Sequence, residues 1–301
     1  MKGGIVILYK DSGISSQGAV NRLKRLLGVK KAGHTGTLDP MATGILPVLV
    51  ERGVKASEYV ISEDKHYRAV LRLGLTTDTE DVWGEVLTEV GEDELPDCEA
   101  VGAAARAMLG EITQVPPMYS AIKVNGKKLY ELAREGKSIE REPRRVTVFE
   151  IESSHLGGRD YSLDVHCSKG TYIRTLCADI GKALGCGGVM AALERTECAG
   201  YGKEHAHTLE EIENMTAEEQ VALIRPIEEI FVGTEVLRLN AFNERLARCG
   251  VELYLHKLGI SAEVGKRFML CDGEGGFFAL AEVREFDTGL AVKPIKQFDI
   301  D

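Results

Sequence analysis

The segment of residues 65–73 alternates strictly between two kinds of side chain, and this pattern restricts the fold more than any other feature of the sequence. In an extended chain, one side would carry Tyr67, Ala69, Leu71 and Leu73, and the other would carry His66, Arg68, Val70 and Arg72. Such alternation is typical of a strand with one face covered by a core. The chain therefore contains a β-sheet, one face of which packs against other elements.

Further strands and helices follow from local patterns on both sides of this segment. Apolar runs predict strands at residues 5–9, 45–50, 146–150 and 161–167. Capping residues and apolar periodicity predict helices from Ser15 or Ser16 to Gly28, from 97 to 109 after Asp97, and at about 173–184 before Gly185. Glycine, threonine and proline predict a loop at 33–44 and a hairpin turn at Asn125-Gly126. These elements predict an α+β fold around a mainly antiparallel mixed sheet, flanked by helices and loops.

The character of the chain changes near residue 233. Short strands are predicted after it, at 267–271, 277–283 and 290–294, with glycine turns between them. With 301 residues, of which 44% are hydrophobic, the chain can bury one good core and a second, smaller one. We expect two domains, at 1–232 and 233–301.

Composition limits the compartment and the metal chemistry. No apolar run approaches the roughly 20 residues that span a bilayer, and the first apolar run is too short for a signal-peptide core. The seven cysteines form no C-x-x-C pair, so we expect reduced thiols and no metal site. These observations predict a cytoplasmic protein that has no contact with a membrane.

The net charge of −10 argues against a nucleic-acid partner, but the basic residues are concentrated in two segments. Residues 22–31 contain five basic residues and no acidic one, and residues 123–145 contain eight basic residues against four acidic ones. Acidic residues collect at 78–99 and 210–229 instead. Basic segments on an acidic body suit a protein that binds RNA with one face, although either segment alone is more often a solvated helix face.

Three familiar motifs are absent or incomplete. The segment Glu135-Gly136-Lys137-Ser138 resembles the end of a phosphate-binding loop, but the first glycine of that motif is replaced by Glu131. No G-x-G-x-x-G follows a strand, so a dinucleotide site is unsupported. His205-x-His207 has no carboxylate or thiolate at ligand spacing, which favours a surface pair over a metal site.

The strongest functional signal is the segment 33–48, GHTGTLDPMATGILPV. Its small residues let a backbone approach a ligand, and Pro40 disfavours a helical conformation at Asp39, so one carboxylate is presented on a stiff loop. Taken alone, an Asp-Pro pair in a loop is more often structural than catalytic. Taken whole, the segment resembles the catalytic loop of the TruB family of tRNA pseudouridine synthases.

Three further segments resemble the same family in the expected order. They are Lys65-His66-Tyr67-Arg68 with Thr77-Asp78-Thr79, Pro117 to Tyr130, and Cys167 to Thr175. The resemblance spans about residues 4–230 and implies the pseudouridine synthase fold, with an RNA-gripping insertion at about 115–145. The C-terminal region resembles a PUA-like RNA-binding domain in its pattern of strands and glycines. Residues 51–55 follow the family pattern only loosely, so no role is assigned to Lys55.

The resemblance also implies an activity, the isomerisation of uridine 55 in the T-loop of tRNA to pseudouridine. Its catalytic residues would be Asp39 as the nucleophile, Arg174 as the ionic partner of Asp39, and Tyr67 stacked on the flipped-out base. The substrate would be held by the residues His34, Tyr172, Leu193, Lys123, Lys127, Lys128, Arg144 and Arg145. Breaking and remaking a glycosidic bond involves no net redox change or group transfer, so we expect no cofactor. We expect the T-arm stem-loop of tRNA as the partner, no obligatory protein partner, and a monomer.

Simpler interpretations stand beside these roles. Without the resemblance, Arg174 would be a phosphate contact or a surface arginine, Tyr67 and Leu193 would be core residues, and His34 would be a solvent-exposed loop residue. At the level of function, the alternatives are a tRNA-binding or tRNA-folding protein without catalysis and a pseudouridine synthase acting on another RNA. A glycosidase is disfavoured because no convincing second acid lies near Asp39 in the sequence.

Overall fold

The computed structural model of the chain describes residues 3–61, 64–120, 122–124, 126–137 and 139–298. The side chains of Lys123, Lys128 and Arg134 are outside this description, and so is the predicted turn residue Asn125. Two of the predicted phosphate-binding side chains, those of Lys123 and Lys128, therefore have no described position.

The strands of the described residues, β1 to β18, are in chain order Gly4–Lys10, Ala32–His34, Thr43–Val50, Lys65–Leu73, Leu75–Thr77, Val86–Glu89, Gly110–Gln114, Lys123–Val124, Lys127–Lys128, Arg144–Gly157, Asp160–Cys167, Gly188–Cys198, Arg225–Pro226, Glu235–Arg238, Leu253–Tyr254, Arg267–Cys271, Phe277–Phe286 and Gly289–Gln297. The α-helices, α1 to α9, are Ser16–Leu26, Ser57–Ile61, Cys98–Arg106, Leu129–Arg134, Ile173–Ala183, Leu209–Glu213, Ala217–Ala222, Ala241–Arg248 and Leu255–Leu258. Together they form the α+β fold that the sequence predicts.

A large mixed sheet organises the first part of the chain. Its strands follow the order β13, β1, β3, β12, β4, β11, β10, β7, and β2 also pairs with β3. The contact of β12 with β3 is parallel and aligns Glu194 with Thr43 and Arg195 with Gly44, whereas the other ladders are antiparallel. Strand β12 lies between β3 and β4, and its Arg195 pairs with Gly44 on one side and with Tyr67 on the other.

The alternation in residues 65–73 is confirmed. The side chains of Tyr67, Ala69, Leu71 and Leu73 are buried in the main hydrophobic core, together with apolar residues of α1, α3 and α5. On the other face, Arg68 pairs with Asp164 and Arg72 pairs with Asp160 of the neighbouring strand. Helices therefore cover one face of these strands, and ion pairs in contact with solvent occupy the other.

Several predicted element boundaries are confirmed by their capping bonds, and one segment differs. Ser15 and Asp97 accept hydrogen bonds from the main-chain nitrogens of Gly18 and Ala100, as N-cap residues do. The predicted loop at 33–44 instead begins inside a short strand, Ala32–His34. This strand forms because its residues pair with the end of β3, a long-range contact that a local pattern of glycine and threonine does not reveal.

A second sheet, of strand order β14, β16, β17, β18, β15, begins at Glu235 and has its own hydrophobic core. It meets the first part of the chain through a small apolar cluster that includes Ala56, Phe231 and Phe298. The Lys55 ammonium donates to the main-chain oxygen of Gln297 at 3.2 Å, so Lys55 contributes to this contact. The division of the chain at residue 232 stays a prediction.

Two expectations from composition concern the thiols and the bilayer. All seven cysteines are free thiols, and five of them are buried. Within the described residues, no helix has the length and apolarity needed to span a membrane.

Candidate active site

The loop that carries Asp39 is held by helix α1 and by the turn that precedes this helix. The Ser16 hydroxyl donates to the main-chain oxygen of Leu38 at 2.9 Å and accepts from the Leu38 nitrogen at 2.8 Å. The Gly13 nitrogen donates to the main-chain oxygen of Pro40 at 2.8 Å. Both neighbours of Asp39 are thus held by hydrogen bonds, which limits the positions that its carboxylate can take.

Lys10, the last residue of β1, holds the same loop from a buried position that the sequence did not indicate. Its ammonium donates to the main-chain oxygens of Ala42 at 2.6 Å, Ile14 at 2.8 Å, Asp11 at 2.9 Å and Pro40 at 3.3 Å. Burial lowers the pKa of Lys10 to about 8, and the nearby Asp11 and Asp39 carboxylates oppose that shift. At neutral pH Lys10 is therefore mainly in the ammonium form, whose three N–H groups are shared among these four carbonyl oxygens.

Arg195, on β12, holds the loop from the other side and is fully buried. Its guanidinium donates to the main-chain oxygens of Ile45 at 2.7 Å and Gly36 at 3.2 Å. The backbones meet closely here, since a Cβ atom on Gly44 would lie 2.2 Å from the main-chain oxygen of Arg195 and the φ of Gly44 is +108°. Only glycine fits this contact and this conformation, which explains one of the small residues in the loop.

Asp39 and Arg174, which are 135 residues apart in the sequence, form a two-pronged ion pair. The Arg174 Nε donates to Oδ2 of Asp39 at 2.9 Å, and a terminal nitrogen donates to Oδ1 at 3.2 Å. The Arg174 side chain is only 5% exposed, whereas that of Asp39 is 32% exposed. The pair therefore presents a partly exposed carboxylate that is held by a buried guanidinium.

The remaining donors of Arg174 are used by two other segments. One terminal nitrogen donates to the main-chain oxygen of Thr79 at 3.1 Å, and the other donates to that of Tyr119 at 2.8 Å. Thr79 belongs to the turn after β5, and Tyr119 lies at the start of the predicted insertion. Arg174 thus joins the Asp39 loop, this turn and the base of the insertion at one point.

A second carboxylate, Asp81, lies behind Arg174 and was not identified from the sequence. Its Oδ2 is 4.0 Å from the Arg174 Nε, and its side chain is largely buried. The preceding residue, Glu80, has a φ of +63°, and its carboxylate accepts a hydrogen bond from the Thr175 hydroxyl at 2.7 Å. The run of acidic and hydroxyl residues at 77–81 indicates a turn, but nothing local indicates that the turn faces Arg174.

Tyr172 precedes helix α5 and lies beside the pair. Its main-chain nitrogen and oxygen both bond to the side-chain amide of Gln114, at 2.9 and 3.1 Å. Burial raises the pKa of its hydroxyl, and hydrogen bonding with Ser120 opposes that shift. Gln114 precedes the insertion, so its two bonds connect the base of the insertion to the start of the helix that carries Arg174.

The side chains of Tyr67 and Leu193 are buried in the main hydrophobic core. Tyr67 is 8% exposed and pairs with Arg195 across the ladder between β4 and β12. Burial raises the pKa of Tyr67 to about 12, and the Arg195 guanidinium opposes the shift, so the hydroxyl is neutral at neutral pH. Leu193 is equally buried, and its main-chain oxygen accepts from the Thr43 hydroxyl at 3.4 Å. Most of both side chains packs in the core, as their simpler interpretation expects.

His34 ends the strand that precedes the Asp39 loop, and the basic residues Lys127, Arg144 and Arg145 lie on β9 and β10. His34 ends strand β2, pairs with Val48 and is half-buried. Lys127 is exposed and pairs with Glu135 at 3.4 Å, and Arg145 is exposed and pairs with Glu111 at 3.2 Å. Arg144, at the start of β10, is also exposed. These cations face solvent, where they are accessible to a polyanion.

The arrangement is suited to chemistry at an anionic carboxylate. A buried guanidinium that makes four hydrogen bonds orients the carboxylate, and hydrogen bonds on both sides fix its loop. Such a group can act as a nucleophile or stabilise a developing positive charge. Among the residues with described positions, no group of three or more histidine, cysteine, aspartate or glutamate side chains is arranged to hold a metal ion.

Two family models match consecutive parts of the chain. The model described as TruB family pseudouridylate synthase (N terminal domain) matches residues 24–173. The model described as tRNA pseudouridylate synthase B C-terminal domain matches residues 174–232. The boundary between them lies next to Arg174, so the Asp39–Arg174 pair joins the two matched regions.

Curated relatives match the chain over most of its length. The protein named tRNA pseudouridine synthase B from Francisella philomiragia is 42% identical over 236 residues, which is 78% of this chain and 78% of that protein. The protein of the same name from Francisella tularensis subspecies novicida is 41% identical over 236 residues, with the same coverage.

Solved structures match over nearly the whole chain. A structure described as a Cbf5-Nop10-Gar1 complex matches with a TM-score of 0.70 and 25% identity, covering 98% of this chain and 84% of that chain. A structure described as an H/ACA RNP bound to a substrate RNA containing 2'-deoxyuridine matches with a TM-score of 0.68 and 23% identity, covering 99% of this chain and 85% of that chain. The two sheets of this chain thus have counterparts in known proteins.

Proposed function

The chain belongs to the TruB family of pseudouridine synthases, and from this premise we propose that it isomerises uridine 55 in the T-loop of tRNA, with Asp39 as the nucleophile. It is an isomerase, a tRNA pseudouridine synthase, with the fold of that enzyme class. The position of the target uridine and the role of each residue are the parts that we propose.

The observation that carries the proposal is the two-pronged ion pair between Asp39 and Arg174, at 2.9 and 3.2 Å. A protein that only binds or folds RNA has no need of a carboxylate that a buried guanidinium holds in one orientation. Such orientation is costly, because burying a charge carries a desolvation penalty that must be offset by good geometry. The pair therefore supports catalysis over simple binding.

The reaction breaks the bond between N1 of the uracil and C1′ of the ribose, rotates the base, and joins C5 to C1′. The proton on C5 then leaves and N1 takes up a proton, so that the product has the same atoms as the substrate. Asp39 supplies the negative charge at the step in which the glycosidic bond breaks, by covalent attack or by stabilising positive charge on the ribose. Routes that differ in the atom attacked all require this carboxylate to be ionised and correctly placed.

The target base is stacked in a folded loop, so it must be flipped out before it can reach Asp39. We assign Tyr67 to the floor of the pocket, where the exposed edge of its ring meets the base. With a pKa raised to about 12, its hydroxyl acts as a neutral phenol and not as a preformed phenolate base. Tyr172 and Leu193 line the same pocket, and His34 contacts the stack that the uridine leaves.

The exposed cations of the chain bind the phosphates of the T-arm. Lys127, Arg144 and Arg145 are accessible in the part of the chain that the structure describes. The ion pairs of Lys127 and Arg145 with surface acids cost little to exchange for phosphates. We assign Lys123 and Lys128 to the same role on the basis of the sequence. The C-terminal region, residues 233–301, would contact tRNA as a PUA-like domain.

We further propose that the protein acts as a monomer in the cytoplasm, without a cofactor and without an obligatory protein partner. An intramolecular rearrangement needs neither an electron acceptor nor a group donor. The T-arm alone would then be a sufficient substrate.

The test is tritium release from T-arm RNA labelled at C5 of uridine, since only formation of the C5–C1′ bond releases that label. The wild-type protein should release tritium, and the modified position should map to the T-loop uridine. Asp39→Asn keeps the size of the side chain and removes its charge, so it should bind the RNA but release no label.

A matched control is Asp164→Asn, which removes an exposed carboxylate paired with Arg68 on the outer face of the sheet. This variant should release tritium at the wild-type rate. Release by Asp39→Asn at a similar rate would exclude Asp39 as the nucleophile. Failure of the wild-type protein to release label from RNA that it binds would instead refute uridine 55 as the target.

A further inference from the structure

Trp83 is the only tryptophan of the chain, and its side chain is 62% exposed. Tryptophan is highly buried on average, because it is the largest apolar side chain. Two other large apolar residues of the same segment, Val86 and Leu87, are also exposed. An exposed indole on a short loop therefore calls for a functional explanation.

The loop that carries Trp83 is rigid and belongs to the active site. The Asp81 carboxylate accepts hydrogen bonds from the Trp83 main-chain nitrogen at 3.0 Å and from the Thr79 hydroxyl at 2.8 Å. The same carboxylate lies 4.0 Å from Arg174, and the Thr79 main-chain oxygen accepts from Arg174 at 3.1 Å. Trp83 is thus connected through one carboxylate to the guanidinium that orients Asp39.

The base of the loop is closed by a second set of bonds. Asp78 and Glu85 bond to each other through their main chains at 3.2 Å, and the Asp78 carboxylate accepts from the Glu85 nitrogen at 2.8 Å. A Cβ atom on Gly84 would lie within 2.4 Å of side-chain atoms of Asp78 and Thr79, so the loop is tightly packed. The indole is therefore presented from a preorganised support, which lowers the entropic cost of binding.

We propose that Trp83 is a stacking platform for an unpaired base of the T-loop next to the flipped-out uridine. Unpaired bases in RNA loops are commonly recognised by stacking on aromatic side chains. The charges around Trp83 favour a base over a phosphate, because Asp78 and Glu85 are exposed on the same loop and repel phosphates. This inference rests on the proposed function, since it takes the T-loop as the ligand.

Intrinsic fluorescence tests the proposal directly, because excitation at a wavelength that tyrosine does not absorb gives emission from Trp83, the single tryptophan, alone. The probe is a T-arm stem-loop RNA, added to the full-length protein, with tritium release measured on the same samples. Stacking should change the emission with a saturation curve that follows RNA binding. Trp83→Ala should raise the Kd by about 5- to 150-fold, the range for loss of one stacked base. The salt dependence of its RNA binding should stay at the wild-type value, because stacking on a base makes no phosphate contact.

A conservative variant and a matched control separate stacking from a general defect. Trp83→Phe should recover part of the affinity, since a smaller ring still stacks. Phe149→Ala removes an aromatic ring on β10 that is 44% exposed and contacts His166 of β11. This variant should leave the Kd unchanged.

Each contrary outcome has its own meaning. The wild-type protein could release tritium from the T-arm RNA while the Kd of Trp83→Ala stays within about twofold of wild type. This result would overturn the stacking role and leave the proposed function intact. Self-association of the wild-type protein that is lost in Trp83→Ala, with unchanged RNA affinity, would assign the exposed indole to a second copy of the chain. Failure of the wild-type protein to bind or modify T-arm RNA would overturn the proposed function and this inference with it.

Discussion

Replacing Arg174 with lysine keeps the positive charge of the side chain and removes the planar fork that binds Asp39. Arg174 makes four hydrogen bonds, two to the Asp39 carboxylate at 2.9 and 3.2 Å and one each to the main-chain oxygens of Thr79 and Tyr119 at 3.1 and 2.8 Å. A lysine has one nitrogen on a flexible stem, so it cannot donate to all four of these acceptor atoms. Arg174→Lys should therefore leave Asp39 charged but poorly oriented.

The size of the effect follows from the bonds that are lost. A hydrogen bond to a charged group is worth about 1.5–3 kcal/mol, and each 1.36 kcal/mol added to a barrier lowers the rate about tenfold. Loss of one prong of the pair should lower the turnover rate by about 10- to 150-fold. Tritium release under single-turnover conditions, at saturating protein, measures this step separately from binding.

Arg72→Lys provides a control with the same chemistry outside the site. Arg72 binds both oxygens of Asp160 at 2.8 Å on the solvent-exposed face of the sheet. Its replacement should leave the turnover rate unchanged and lower the free energy of unfolding by less than about 1 kcal/mol. A rate for Arg174→Lys within about twofold of wild type would refute the claim that the two-pronged geometry matters. An equal loss in both variants would indicate a general effect on folding.

Two further substitutions test the buried residues Tyr67 and Lys10. Tyr67→Phe keeps the ring and removes the hydroxyl, so RNA binding should persist while the single-turnover rate falls, and full activity would remove the hydroxyl from the chemistry. Lys10→Met leaves the carbonyls of Pro40 and Ala42 without their donor and should lower the free energy of unfolding by about 2–4 kcal/mol, measured by urea denaturation. An unchanged urea midpoint for Lys10→Met would show that those hydrogen bonds contribute nothing net.

Much of the local structure could be predicted from the sequence because the relevant interactions are short-range. The alternation at 65–73 and the capping residues Ser15 and Asp97 depend on neighbours within four residues, and the structure has them as predicted. The short strand Ala32–His34 was missed, because it forms only by pairing with a strand that follows later in the chain. Local patterns therefore identify the elements but not their partners.

The residues of the site illustrate the same division. Asp39, Tyr67 and Arg174 were predicted as site residues by resemblance to a family. Without it, Asp39 and Tyr67 would have been assigned structural roles, and Arg174 a phosphate contact or a surface position. Asp81 was not identified, because a run of acidic and hydroxyl residues indicates only a turn. Lys10 was not identified either, since a lysine at the end of a strand usually lies in solvent.

The sequence by itself determined the fold class, the position of the reactive loop and the family of the chain. Only the tertiary structure decided that Arg174 reaches Asp39 across 135 residues, that Lys10 and Arg195 hold the loop from two sides, and that Trp83 is presented on the turn beside them. The physical reason is that these contacts depend on the parallel pairing of β3 with β12 and on the packing of α5. Neither leaves a periodic signal in the chain, because each is set by the burial of surfaces that are far apart in sequence.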